Sequence, residues 1–141
     1  MTHCALGIVL MLAFAMPASA QLQGKRVSGC ISSESPIAAI GKLSMRHFPG
    51  PPNYEDIRKG DRDDLVLILT LPRSVCIDDP DFDTSHKRFR TVHVWTTNEF
   101  VRAKLRRLVG HRVRVIGDGM GASNAHDRAP LVLEAKSARP Y

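Results

Sequence analysis

The sequence predicts a mainly β domain with one helix. Three observations favour this class. The run Leu65 to Leu71 is apolar except for Thr70 and has the length of one strand. Several other segments alternate apolar and polar residues, and only one stretch, after Thr96, has helical spacing. A short contiguous apolar run is typical of a strand buried on both faces, and alternation is typical of a strand with one solvated face.

The first 20 residues are predicted to be a signal peptide. An apolar run over residues 5–16 is followed by Pro17 and by Ala18-Ser19-Ala20, whose small residues suit signal peptidase. The run is shorter than the roughly 20 residues that span a membrane. A buried N-terminal helix is the alternative, although Pro17 is unfavourable near the end of a helix. We therefore expect a single domain over residues 21–141, periplasmic or secreted, with no transmembrane segment after signal removal.

The predicted mature domain is basic. The chain has a formal net charge of +6, and its first 20 residues contain no Asp, Glu, Lys or Arg. This charge favours anionic partners, although many exported proteins are simply basic and soluble.

Two cysteines, Cys30 and Cys76, remain after signal removal, because Cys4 lies in the signal peptide. An even number of cysteines in an oxidising compartment favours a disulfide. It would close a loop of about 46 residues and stabilise the fold by roughly 4 kcal/mol. Two separate buried thiols are the alternative. We expect no metal site, since no His or Cys lies two to four residues from either cysteine. No cofactor is expected.

The strands can be placed in order along the chain. Residues 25–32 and 40–47 are expected to follow one sheet edge as the first strand, and the proline-rich segment HFPGPPNYED opens the loop 47–64. Residues 65–71 form the second strand, which Pro72 is expected to end, and residues 74–77 are expected to extend it after a kink. An acidic loop then leads to the third strand at 89–96.

The helix follows the third strand. Thr96 and Glu99 fit a capping box, with Thr96 as the N-cap. An apolar set at helical spacing comes next: Phe100, Val101, Leu105, Leu108 and Val109. Gly110 marks the helix end. Alternating residues 111–117 predict the fourth strand, residues 118–130 a polar loop, and residues 131–136 the fifth strand.

This order of elements matches a five-stranded OB-fold-like barrel with the helix between strands 3 and 4. Closure into a barrel would also leave no exposed sheet edges. The alternative is an open α+β sheet with the helix on one face.

Three segments resemble a family: FPGPPNYEDIRKGD, LVLILTLPRSVCID and LVGHRVRVIGDGMGASNAHDRAPLVL. They are similar to a bacterial group of small exported proteins known only as domain of unknown function forty-four thirty-one. The resemblance covers roughly residues 41–136, and its most specific part is the run 49–55 with Gly60 and Asp61. It implies an OB-like fold and export, and it implies no activity. Residues 124–126 depart from the more His-rich loop expected of that group.

No catalytic residue is predicted, and we expect the protein not to be an enzyme. The histidines form no HxH or HExxH pair, no serine lies in a GxSxG setting, and no Gly-rich phosphate loop is present. The alternative is a metal-dependent, nuclease-like hydrolase with a dispersed acidic site. Asp61, Asp63, Asp64 and Arg62 offer the residue types that it needs, but all four lie in one loop.

An OB-type barrel usually binds ligands across strands 2 and 3, between the first–second and fourth–fifth loops. These loops are residues 47–64 and 118–130 here. The candidate ligand-binding residues are Phe48, Tyr54, Arg58, Lys59, His93 and Trp95. Tyr54 and Trp95 could equally be scaffold residues, so the sequence leaves open whether loop 47–64 is scaffold or binding surface.

The expected partner is an envelope protein, a peptide or an anionic glycan. Nucleic acid is not expected, because the aromatics are too few for an extended stacking platform.

Overall fold

The computed structural model describes residues 30–32, 36–78 and 88–141. The elements are β1 (Ile31–Ser32), β2 (Ile37–Pro49), a 3₁₀ helix (Ile57–Lys59), β3 (Asp63–Val75), β4 (Ile77–Asp78), β5 (Phe89–Trp95), α1 (Glu99–Arg107), β6 (Arg112–Gly121) and β7 (Leu131–Pro140). The predicted signal peptide, residues 25–29 of the predicted first strand and most of the acidic loop lie outside the described residues. Within them, no helix is long and apolar enough to cross a membrane.

Five strands form a closed barrel in the order β2-β3-β5-β7-β6. All neighbours are antiparallel except β5 and β7, which are parallel. Numbered along the chain, the barrel strands follow the order 1-2-3-5-4, and α1 connects the third to the fourth. The mainly β fold with a five-stranded, OB-like barrel is therefore confirmed, and closure excludes the open α+β sheet.

The barrel core follows from the alternation of the strands. Leu43, Leu69 and Val92 are neighbours across β2, β3 and β5, and all three are fully buried. Ile68, next to Leu69, is also buried, so β3 is covered on both faces at this point. Leu65, in contrast, is 58% exposed, so the predicted burial on both faces does not extend over the whole run. The expectation that Pro72 ends this strand is wrong. The strand continues to Val75 through a register shift, and such irregularities accommodate a proline that cannot donate to the ladder.

The helix start differs from the predicted capping box. Asn98 is the N-cap, because its side-chain oxygen accepts from the backbone N–H groups of Phe100 and Val101. Thr96 is buried instead, and its hydroxyl donates to the carbonyl of Ala135 on β7. Phe100 is 89% exposed, although it was expected on the apolar face. The buried face of α1 contains Leu105, and Val101 lies on the same face because it is four residues earlier. Phe100 lies outside this face.

Cys30 and Cys76 lie at disulfide distance, with their Cα atoms 4.6 Å apart. The link holds β1 beside β4, where Ile31 and Ile77 are partners in a short parallel pair. Ile77 is buried and belongs to the main core. The cysteine pair therefore fastens the start of the described chain to the end of β3, and it is compatible with an oxidising compartment.

Candidate functional site

The first loop, residues 50–62, is organised around the carboxylate of Asp61. This side chain is only 5% exposed. Its oxygens accept from the backbone N–H groups of Asn53, Glu55 and Asp56 at 2.8, 2.7 and 2.9 Å. These bonds favour the ionised form and lower the pKa of Asp61, with the bond from Asn53 contributing most. The loop is consequently held in shape by bonds between this carboxylate and its own backbone.

The two neighbouring carboxylates are also paired. Asp64 Oδ1 accepts from Arg62 Nε at 2.5 Å, and this bond lowers the pKa of Asp64. Asp63 lies 2.8 Å from His47 Nδ1. The acidic residues proposed for a nuclease-like site therefore each have a partner from their own chain. In the described parts of the chain, no three His, Cys, Asp or Glu side chains are grouped to hold a metal ion.

A contact between loop 47–64 and loop 118–130 joins residues far apart in sequence. Tyr54 Oη and His126 Nε2 share a hydrogen bond of 2.9 Å, and the two rings meet edge to face with centroids 5.0 Å apart. The Arg128 guanidinium lies 5.4 Å from the ring centroids of both Phe48 and Tyr54. Its Nη2 also donates to the carbonyl of Pro49 at 2.5 Å. We call Phe48, Tyr54, His126 and Arg128 the loop bridge.

Tyr54 is held in an unusual backbone conformation. Its φ of 62° is in the left-handed region, which tyrosine rarely adopts. Its backbone N–H donates to the carbonyl of Gly50 at 3.0 Å. A strained residue persists only where its surroundings fix it, and here the loop bridge and the Asp61 network do so.

His93 lies on β5, half-buried under the second loop. Its Nδ1 is buried and has no hydrogen-bond partner among the described residues. Removal from water lowers the pKa of His93 below its ordinary 6.5, the nearby Asp127 raises it, and Arg128 lowers it further. The imidazole is consequently neutral near pH 7 and offers a nitrogen without a partner.

A groove of about 590 Å³ lies between β3, β5 and α1. Its apolar lining includes Met45, Leu65 and Trp95, which are 37%, 58% and 37% exposed. Two arginines of α1 line the opposite side. Arg102 is paired with Glu99 at 2.6 Å, whereas Arg106 forms no ion pair with a described carboxylate. His93 also lines this groove, and its ring lies close enough to Arg128 of the loop bridge to be affected by that charge.

The structure divides the six predicted binding residues among three places. Phe48 and Tyr54 meet through Arg128 in the loop bridge, and His93 and Trp95 line the groove. Arg58 and Lys59 lie exposed on the 3₁₀ helix, where Arg58 is paired with Asp56. They contact neither the groove lining nor the bridge in any described interaction.

Sequence reasoning missed several residues of both sites: Met45, Leu65, Arg102, Arg106, His126 and Arg128. The placement of loop 118–130 was the one signal available for His126 and Arg128, because it put both in the loop that faces residues 47–64.

Comparison with models of known protein families, with curated proteins and with solved structures found no match for this chain. The resemblance to the group of unknown function stays a prediction.

Proposed function

We propose that the chain is an exported bacterial OB-type binding domain, without catalytic activity of its own, that holds an extended acidic segment of an envelope protein. The observation that carries this proposal is the groove, where exposed apolar side chains adjoin arginines of α1. The cysteine pair supports an oxidising location, and the family resemblance implies export.

The chemistry of the groove matches a peptide that is both apolar and acidic. Leu65 and Trp95 are large side chains that remain partly exposed, and each Å² of apolar surface removed from water contributes about 25 cal/mol. Arg106 can pair with a carboxylate of the partner, because no described carboxylate of this chain pairs with it. A segment with an aliphatic or aromatic anchor next to Asp or Glu would satisfy both surfaces.

The first loop supports binding rather than metal-dependent hydrolysis. Asp61, Asp63 and Asp64 are the carboxylates that a nuclease-like site would require, and each is bonded to its own chain. Recruiting Asp61 to a metal would break bonds to three backbone N–H groups of the loop.

The aromatic residues favour a peptide over nucleic acid. Phe48 and Tyr54 contact Arg128, and Trp95 lies in the groove beyond His93. A single-stranded nucleic acid needs successive aromatic faces along a cationic channel, and these rings belong to two separate places.

A peptide-display selection against protein produced from the full chain tests the proposal. We expect selected peptides to combine Asp or Glu with an aliphatic or aromatic anchor. Leu65→Glu should weaken their binding at least tenfold, because it places a like charge and a polar group in the groove. Phe100→Glu is the matched control: it makes the same kind of change at an exposed apolar residue outside the groove lining, and it should leave affinity unchanged.

Two results would contradict this function. One is a set of selected peptides without acidic residues whose binding is insensitive to Leu65→Glu. The other is hydrolysis of a peptide or nucleic acid by the purified protein that chelators abolish.

A further inference from the structure

The outer surface of β2, β6 and β7 carries a group of cations that we call the basic face: Lys42, Arg46, Arg112, Arg114 and Arg139. The strand register places Lys42 directly opposite Arg112, and Arg114 directly opposite Arg139. Arg112 and Arg114 are two residues apart on β6, so they share one side of the sheet. The two like-charged pairs consequently form adjacent rows.

Arg46 extends the first of these rows. Its Nη2 donates to Thr70 Oγ1 at 3.5 Å, and Thr70 is the β3 partner of Lys42. The guanidinium of Arg46 therefore reaches the residue that lies directly opposite Lys42 on β3. Arg112 stacks on the Tyr141 ring at 4.9 Å, which limits where its guanidinium can move.

The same strand pair shows how this chain neutralises like charges elsewhere. Asp118 and Glu134 are directly opposite on β6 and β7. Lys136 Nζ lies 3.4 Å from Asp118 Oδ2 and 3.1 Å from Glu134 Oε2, and so compensates both. The acidic pair is thus balanced by a cation of its own chain.

The basic pairs have no such compensation. Throughout the described ranges, none of the five cations forms an ion pair with a carboxylate. In addition, Arg114 Nε is buried without a hydrogen-bond partner. Like charges directly opposite on neighbouring strands destabilise a sheet. Two adjacent uncompensated pairs therefore indicate a surface whose counter-charge comes from another molecule.

We propose that the basic face binds a linear polyanionic glycan through its carboxylate or sulfate groups. Neighbouring strands are about 4.8 Å apart, and residues i and i+2 are separated by about 6.7 Å, so the cations form a dense array. Arginine, which supplies four of the five cations, can bind an oxyanion with two parallel hydrogen bonds. This site goes beyond the peptide groove and shares no residue with it.

Other polyanions fit this surface less well. A membrane-binding surface needs exposed apolar side chains beside its cations, and Leu65, Trp95 and Phe100 belong to other parts of the molecule. Single-stranded nucleic acid needs successive aromatic faces for its bases, and the described cations of the basic face adjoin a single ring, that of Tyr141, which Arg112 contacts. The surface consequently recognises charges along a polymer.

Heparin, a linear sulfated polysaccharide, is the probe for protein produced from the full chain. The test variant is Lys42→Gln with Arg139→Gln, which removes one member of each pair and leaves the Arg112 stack and the buried Arg114 stem intact. The matched control is Lys104→Gln with Arg107→Gln, which removes the same charge from α1. We expect the test variant to lose at least about tenfold in affinity and the control less than about threefold. The slope of log K against log salt should fall by about two in the test variant.

Thermal unfolding gives a second, independent readout. Relief of the like-charge pairs should raise the melting temperature of the test variant by about 1–4 °C. The melting temperature of the control variant should not rise, because cations in the last turn of a helix stabilise that helix. The proposal is overturned by equal losses of affinity in both variants, by a lowered melting temperature in the test variant, or by no heparin binding at low salt. Tighter binding to anionic phospholipid vesicles or single-stranded DNA than to heparin would also overturn it.

Discussion

Replacing Tyr54 with alanine and with glycine tests both the loop bridge and the left-handed backbone. Alanine removes the hydrogen bond to His126, worth about 1 kcal/mol, and the edge-to-face contact with that ring, worth about 0.5–1 kcal/mol. It also removes the contact with Arg128, worth about 0.5 kcal/mol. We therefore expect Tyr54→Ala to lower the free energy of unfolding by about 2–2.5 kcal/mol.

Glycine should behave differently, because φ at this position is 62°. It loses the same contacts, but it adopts a left-handed conformation without the clash that alanine suffers. After allowing for the greater freedom of glycine in the unfolded chain, Tyr54→Gly should be more stable than Tyr54→Ala by about 1 kcal/mol. Tyr54→Phe removes only the hydrogen bond and should cost about 1 kcal/mol.

Thermal denaturation followed by circular dichroism measures these differences. For a domain of this size, 1 kcal/mol corresponds to about 4 °C. Tyr54→Ala should melt about 8–10 °C below the unmodified protein, and Tyr54→Gly should recover about 4 °C of that loss. A Tyr54→Ala protein as stable as Tyr54→Gly would refute the left-handed assignment. A loss below about 2 °C on Tyr54→Ala would show that the bridge does not hold the loops.

Three further predictions concern stability. Changing Cys30 and Cys76 together to serine should lower the free energy of unfolding by about 4 kcal/mol and the melting temperature by roughly 15 °C, since the link closes a 46-residue separation. Calorimetry with and without reductant checks this. A change in melting temperature below about 2 °C on adding reductant would contradict it. Asp61→Asn should lower the melting temperature at neutral pH. Because folding lowers the pKa of Asp61, its contribution is present above its ordinary value of 3.8 and is lost as pH falls below it, so the two proteins should converge in acid. His93→Gln should make stability less dependent on pH just below pH 6.5. Folding lowers the pKa of this imidazole, so the unmodified protein loses stability as pH falls through that range. Equal slopes of unfolding free energy against pH in the two proteins, measured by urea titration, would contradict the reasoning.

The barrel could be predicted because its information is local in sequence. Alternation in β5 and β6 indicates which side chains face inward, and the apolar run in β3 indicates a largely buried strand. The single helix fixes the chain order of the connections. The cysteine pairing followed from there being only two candidates in the predicted mature domain. The N-cap of the helix was harder to predict, because Thr96 and Asn98 are both good N-cap residues. The Thr96 hydroxyl donates to the carbonyl of Ala135 on β7, a long-range contact that leaves Asn98 as the cap.

The candidate site could not be predicted to the same degree. The loop bridge joins residues 72 positions apart, and it requires a tyrosine in a conformation that favours glycine or asparagine. The groove depends on where α1, which packs against β7, lies relative to β3 and β5, so that Arg106 and Leu65 line the same space. The basic pairs depend on register, since a shift of one residue would have moved Lys42 away from Arg112.

Trp95 is the single tryptophan of the chain, and it lies in the groove with 37% of its surface exposed. Its indole emission therefore reports on one location without any added dye. A peptide seated against it would exclude water and shift that emission to shorter wavelength. A glycan on the basic face should leave it nearly unchanged, because that surface lies elsewhere on the barrel. One cuvette measurement could thus follow occupancy of the groove while a second ligand is titrated against the same molecule.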